Sequence, residues 1–148
     1  MANIKCFIGT VYGGAEALAE QLIPIAEKQG YDLSLFNPGT VADFIESDVI
    51  LVITSTTGQG DIPYELESLY LALESELPKM QNKPFAVIAM GDSSYGDTFC
   101  GAGKKFRELL LSLQGSEAVA MLKVDATENY DPAPVALPWF NTFLTALN

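Results

Sequence analysis

Three short segments concentrate the residues that could do chemistry in this 148-residue chain: Gly9-Thr10-Val11-Tyr12-Gly13-Gly14-Ala15, Thr54-Ser55-Thr56-Thr57-Gly58-Gln59-Gly60-Asp61 and Gly91-Asp92-Ser93-Ser94-Tyr95. Each joins glycine to hydroxyl side chains, so each can present closely spaced N–H and O–H donors to an oxyanion or to the edge of a heteroaromatic ring. The first contains neither Lys nor Arg. A phosphate there would be held by backbone amides, by the positive end of a following helix and by the hydroxyls of Thr10 and Tyr12. In the second, Gly58 and Gly60 permit positive φ, and a peptide able to flip suits a ligand whose hydrogen bonding changes. In the third, Tyr95 follows three small polar residues, which leaves its ring free to stack on a flat ligand. Taken singly, each segment is also ordinary turn chemistry. Three of them brought to one place make a pocket.

The elements that would bring them together alternate in type. Strands are expected at Asn3 to Gly9, Asp32 to Phe36, Val49 to Thr54, Phe85 to Met90 and Val119 to Asp125. Helices are expected at Gly14 to Lys28, Tyr64 to about Leu77, Gly103 to Leu113 and Leu137 to Leu147, with a short helical piece at Asp43 to Ser47. In the first helix Ala17, Leu18, Leu22, Ile25 and Ala26 recur at helical spacing, and Gln29-Gly30 stops it. The uninterrupted β-branched and aliphatic run Val49 to Thr54 implies a strand buried on both faces, hence a parallel sheet. Such alternation defines an α/β layered fold, and its ligands bind beyond the carboxyl ends of the strands.

Composition bounds the function. With 49% hydrophobic residues, no low-complexity tract and no repeat, the chain reads as one domain spanning 1–148. There is no histidine and no CxxC, so the usual zinc sites and histidine base catalysis lose their residues, and Cys6 and Cys100 are expected to be reduced structural thiols. Neither GxGxxG nor GxxxxGK[ST] occurs. Nineteen acidic against eight basic residues give a formal charge of −11. That charge disfavours nucleic acid and anionic membranes and leaves two readings, a basic protein partner or solubility alone. The early Lys5 and Cys6, with no long apolar run, lead to the expectation of a cytoplasmic protein, and a monomer is expected.

The three segments resemble those of the flavodoxins, most closely the short-chain bacterial group, which carries Gly-Thr-x-Tyr-Gly, Thr-Ser-Thr-Thr-Gly-Gln-Gly-Asp and Gly-Asp-Ser-Ser-Tyr followed by Phe-Cys. The likeness spans the chain. It implies a three-layer sandwich around a five-stranded parallel sheet in order 2-1-3-4-5, an order that flavodoxins themselves exemplify, with FMN at the switch point between strands one and three. Carried over by position, Thr10, Val11, Tyr12, Gly13, Gly14 and Ala15 would enclose the FMN phosphate. Ser55, Thr56, Thr57, Gly58, Gln59 and Gly60 would form the second flavin loop, covering one ring face and the reactive N5 edge. Gly91, Asp92, Ser93, Ser94, Tyr95, Phe99 and Cys100 would belong to the third, with Tyr95 stacked on the other ring face and backbone groups at the pyrimidine edge.

Two positions depart from the family pattern. Ala15 stands where many flavodoxins have a hydroxyl, and Thr57 where many place an aromatic ring, so weaker FMN binding is expected. The resemblance implies a low-potential one-electron carrier without substrate turnover of its own, in which the Gly58 carbonyl would turn toward the flavin N5–H on one-electron reduction. Carboxylates at Asp61, Glu65, Asp92, Asp97, Glu128 and Asp131 would depress the potential of the second electron and steer a basic partner. The implied donor is an NADPH-dependent flavodoxin reductase, and the electron acceptor is not readable. Three alternatives stay open: an FMN-dependent quinone or nitro reductase, a flavin-free binding protein on the same fold, and a phosphoacceptor receiver domain. The last lacks the acidic strand ends it needs, because Ile8-Gly9-Thr10 and Ile53-Thr54-Ser55 stand at the two positions.

Overall fold

The computed structural model describes residues 2–10 and 12–148. Its chain order is β1 (Asn3–Gly9), α1 (Gly14–Lys28), β2 (Asp32–Phe36), α2 (Val41–Ile45), β3 (Val49–Thr54), α3 (Tyr64–Glu76), β4 (Pro84–Gly91), a 3-10 segment (Ser93–Thr98), α4 (Gly101–Ser112), β5 (Ser116–Glu117), β6 (Leu122–Asp125) and α5 (Ala133–Ala146). All pairings among these strands are parallel, in the order β2-β1-β3-β4-β5, and β6 also pairs with β4.

Alternation along each strand divides the core in two. On β3, Val49, Leu51 and Ile53 join Ile4, Cys6 and Ile8 of β1 beneath Leu18 and Leu22 of α1 and Phe140 and Phe143 of α5. Ile50 and Val52 point the other way, to Phe44 of α2, Leu66 and Leu69 of α3 and Phe106 and Leu110 of α4. All six residues of β3 are buried, as its apolar run predicts. The buried stripe of α1 is Ala15, Leu18, Ala19, Leu22 and Ala26, whereas Ala17 is exposed and Ile25 half-buried. The helix is therefore rotated relative to the expected apolar positions, so that Ala15 and Ala19 join Leu18, Leu22 and Ala26 on its buried face.

The fifth strand differs from the continuous Val119 to Asp125 expected. Two segments share the outer edge: Glu117 lies opposite Phe85 and Leu122 opposite Ile88, so the edge chain loops out two extra residues between them. The Trp139 indole N–H donates to the Ala120 carbonyl at 2.9 Å, and Trp139 stacks on Phe143, so α5 holds the looped segment. Helix α5 also starts at Ala133 rather than Leu137, since Pro134 in its first turn gives up only an amide that has no intrahelical partner, and Asp131 Oδ1 accepts from the Ala133 amide at 3.1 Å. Helix α2 is displaced to Val41–Ile45 because Thr40 and Asp43 form a capping box there.

Register aligns the strand ends. Gly9 faces Thr54, and Gly91 faces Asp125 at the end of β6, so all the connecting loops at issue leave from one edge of the sheet. Among the described residues, no helix is long and apolar enough to cross a membrane, and no group of three or more His, Cys, Asp or Glu could hold a metal ion.

Candidate functional site

The first loop ends in Gly13, which caps α1 at φ +85° with no side-chain cap. Its amide donates to Thr10 Oγ1 at 2.8 Å, and its carbonyl accepts from Ala17, the first intrahelical bond. The amides of Gly14, Ala15 and Glu16 therefore open the helix with no intrahelical acceptor, at its positive end. A methyl on Gly13 would meet nothing within 4 Å, so the space above the turn is open. Ala15 is fully buried in the core, so it presents its backbone and not its side chain to the loop. Tyr12 is almost fully exposed at 98%. Val11 lies outside the described residues.

The second loop is closed by a reciprocal pair of bonds, Thr57 N to Asp61 O at 2.9 Å and Asp61 N to Thr57 O at 2.8 Å. Gly58, Gln59 and Gly60 form the tip between them. Gly58 has φ +49°, in the left-handed region that glycine occupies without penalty. Gly60 is buried against Thr98 and Gly101 of the third loop and α4, whereas Gln59 points away, exposed. One polar atom stands out: the Thr56 hydroxyl is buried and has no hydrogen-bond partner among the described residues. Leaving such a group unpaired costs about 1–3 kcal/mol.

The third loop is braced from within and from a neighbouring strand. Asp92 Oδ1 accepts from the Ser94 amide at 2.8 Å and from the Ser94 hydroxyl, and the Asp92 carbonyl accepts from the Tyr95 amide at 3.1 Å. Asp125 Oδ1 accepts from the Ser93 amide at 3.1 Å, the Thr127 amide at 3.0 Å and the Thr127 hydroxyl at 2.8 Å. The nearby Ser93 hydroxyl, and then the Thr127 and Ser93 amides and the Thr127 hydroxyl, hold the Asp125 carboxyl down, to about 2. Cys100 caps α4 in the left-handed region at φ +56°, and its Sγ–H donates to Ala89 O at 3.3 Å. Burial pushes its thiol up to about 11, against the fields of Lys104 and Lys123.

Two adjoining clefts result. One, of about 260 Å³, is lined by Ser55, Thr56, Gly58, Gly91, Asp92, Tyr95, Phe99 and Cys100 together with Met90, Thr98 and Ala126. The other, of about 420 Å³, is lined by Tyr12, Gly14, Ser55, Thr56, Thr57, Gly58 and Tyr95. They share Ser55, Thr56, Gly58 and Tyr95, and the Tyr95 ring stands 60% exposed between them. The structure thus brings residues of all three loops together. Thr10, Gly13 and Ala15 support the first loop, Gly60 packs the second on the third, and Ser93 and Ser94 spend their amides on carboxylates, so none of these six lines either cleft.

Met90, Thr98, Ala126 and Asp125 escaped the sequence reading. The signal available for the last was Asp125-Ala126-Thr127 at a strand end, an Asx-turn pattern. Its reach across to Ser93 depends on β6 lying beside β4, which no local pattern reports.

The buried orphan hydroxyl, the uncapped helix amides and the ring beside an open slot fit a flat, phosphorylated heteroaromatic group. Comparisons with known proteins point to one family. The family model for flavodoxin matches residues 7–139. Flavodoxin YqcA of Escherichia coli (strain K12) is 37% identical over 150 residues, covering 100% of each chain. Protein MioC of the same strain is 33% identical over 147 residues, covering 99% of each. The solved structure of a cysteine-to-serine mutant of flavodoxin from Pseudomonas aeruginosa superposes with a TM-score of 0.91 at 37% identity, covering 98% of each chain. Sheet order, loop placement and these likenesses together show that this chain belongs to the flavodoxin family.

Proposed function

We propose that this chain binds FMN at the paired clefts and carries single electrons at low potential between a reductase and an acceptor protein. The observation that carries the reading is the Thr56 hydroxyl, buried without a partner among the described residues where the two clefts join. Buried polar groups are almost always satisfied, so a partner from outside the chain is called for. FMN supplies the redox chemistry when bound, and the protein supplies position, hydrogen bonds and field.

The first-turn amides of α1 and the Thr10 segment would hold the phosphate, which binds such helix ends without a cationic side chain. Tyr95 would stack on the ring, and the Thr57–Asp61 bridge would present the Gly58 peptide at the ring's reactive edge. Cys100 and Ala126 would close the inner end of the slot. Four third-loop amides, of Ser93, Ser94, Tyr95 and Phe99, already bond within the protein, so the pyrimidine edge would draw on the loop's other backbone groups.

Charge around the clefts sets the direction. Glu65, Asp97, Glu128 and Asp131 are exposed, whereas Asp61 lies 3.6 Å from Lys105 and is partly compensated. A carboxylate about 10 Å from an added negative charge, at an intermediate dielectric near 40, raises its energy by ~0.8 kcal/mol. That is ~35 mV for one electron. The same carboxylates would steer a partner whose contact face is basic, such as an NADPH-dependent flavodoxin reductase.

The test is a visible spectrum of the protein with added FMN during stepwise anaerobic reduction. A stage with long-wavelength absorbance at one electron per flavin supports the carrier. Direct two-electron conversion points to a small-molecule reductase, and no flavin binding leaves a binding protein. Electron-transfer rates with a reductase should fall steeply as salt rises, and a flat profile would remove the steering role.

A further inference from the structure

The third loop takes its position from a residue outside all three glycine-rich segments. Asp125 closes β6, and one of its oxygens, Oδ1, accepts from the Ser93 amide, the Thr127 amide and the Thr127 hydroxyl. The Ser93 and Thr127 hydroxyls lie 3.2 Å apart across the same junction. A single carboxylate oxygen therefore ties the loop after β4 to the loop after β6, and both loops reach the inner cleft, through Asp92 and Tyr95 on one side and Ala126 on the other. The sheet pairing of β4 with β6 ends at Gly91 and Asp125, with Ala126 N to Gly91 O at 2.8 Å as its last rung, and beyond that rung the carboxylate and the Ser93–Thr127 hydroxyl contact carry the connection between the two loops.

We propose that Asp125 is a positioning residue for the ring slot: its carboxylate fixes the distance between the third loop and Ala126, and so the width of the gap in which Tyr95 would stack. The proposal rests on the flavin reading for its consequence but not for its geometry. A group that fixes a binding slot through hydrogen bonds acts by orientation, and its effect should follow the acceptor atoms and not the charge. Asparagine at this position keeps Oδ1 as an acceptor for the same three donors. Alanine keeps none. The ionised carboxyl is already fully formed at neutral pH, so the tie does not switch in the physiological range.

The experiment uses the whole chain as Asp125→Ala and Asp125→Asn. Without flavin, amide hydrogen exchange at Ser93 and Thr127 should accelerate at least tenfold in D125A, with the amides of β1 and β3 unchanged. With flavin, dissociation constants for FMN and for riboflavin should rise by the same factor, at least fivefold, because the slot holds the ring and the phosphate sits elsewhere. D125N should stay within about twofold of the unsubstituted protein in both measurements. Unchanged exchange at Ser93 overturns the tie. Faster exchange with unchanged affinities overturns the positioning role and leaves a merely structural one. Equal losses in D125N and D125A show that charge, not orientation, is responsible. If the unsubstituted protein binds neither flavin, the proposed function fails, and the exchange data alone still decide the tie.

Discussion

Gly101 and Gly60 meet backbone to backbone: a Cβ on Gly101 would stand 2.6 Å from the Gly60 Cα and 2.8 Å from its carbonyl oxygen. The second and third loops are therefore seated on each other at the start of α4, and no side chain fits between them. Gly101→Ala should drive them apart. Overpacking of this kind costs about 1–3 kcal/mol. Urea denaturation should show a loss in that range, accompanied by weaker FMN binding, and full retention of both would mean that the loops are free to separate.

The Thr56 hydroxyl gives a prediction of opposite sign for the empty and loaded protein. Thr56→Val keeps the shape and removes the unpaired oxygen. Without flavin the variant should be as stable as the parent or more so, since a buried orphan is relieved. FMN affinity should fall about fivefold, the equivalent of one hydrogen bond of ~1 kcal/mol. Isothermal titration and thermal unfolding read the two effects, and an affinity that does not change would show that the hydroxyl faces no ligand.

Gly58 sits at φ +49°, and a Cβ there would come 3.0 Å from Asp61 Oδ2. A Gly58→Val chain must hold a β-branched residue in the left-handed region, at about 1–2 kcal/mol. The peptide also loses the freedom to turn its carbonyl. In an anaerobic redox titration the long-wavelength signal at the one-electron stage should shrink relative to the parent, and an undiminished signal would dispose of the flipping peptide.

Acid should find Asp125. Its folded-state carboxyl is held at about 2, below the ordinary 3.8. The unfolded chain thus takes up the proton first, so this group contributes stability above about pH 4 and loses it progressively as pH falls toward 2. Urea midpoints measured between about pH 5 and pH 2 should fall less steeply for Asp125→Asn than for the parent. Identical slopes would show that the bonds from Ser93 and Thr127 do not survive in solution.

The Cys100 thiol, pushed up to about 11 by burial, holds only ~0.1% thiolate at pH 8. Labelling by a disulfide reagent should be slow in the folded protein and fast in denaturant. Because Cys100 lines the inner cleft, FMN should slow it further. Rapid labelling of the native chain would show that the cleft opens around the sulfur.

The residues of β1, β3 and β4 and the three loops that leave them were legible in the sequence because each depends on short-range rules: continuous apolar runs for strands buried on both faces, glycine and hydroxyls for turns, and 3.6-residue spacing for α1. Loop order and strand alternation were enough to place Tyr12, Thr57, Gly58 and Tyr95 at one sheet edge. The break between Glu117 and Leu122 was not legible, because the looped segment is held by a bond to the Ala120 carbonyl from Trp139, nineteen residues further along the chain. Nor was the inward side chain of Ala15, since the rotation of α1 is decided by how its buried face packs into the core. Asp125 and the Gly60–Gly101 contact belong to the same class. Each joins segments far apart in the chain, and a sequence records the chemistry of every group but not which distant donor or backbone will lie within about 3 Å of it. What the sequence alone determined was the fold and the three loops. What only the tertiary structure decided was how they are held at the spacing of a ring slot.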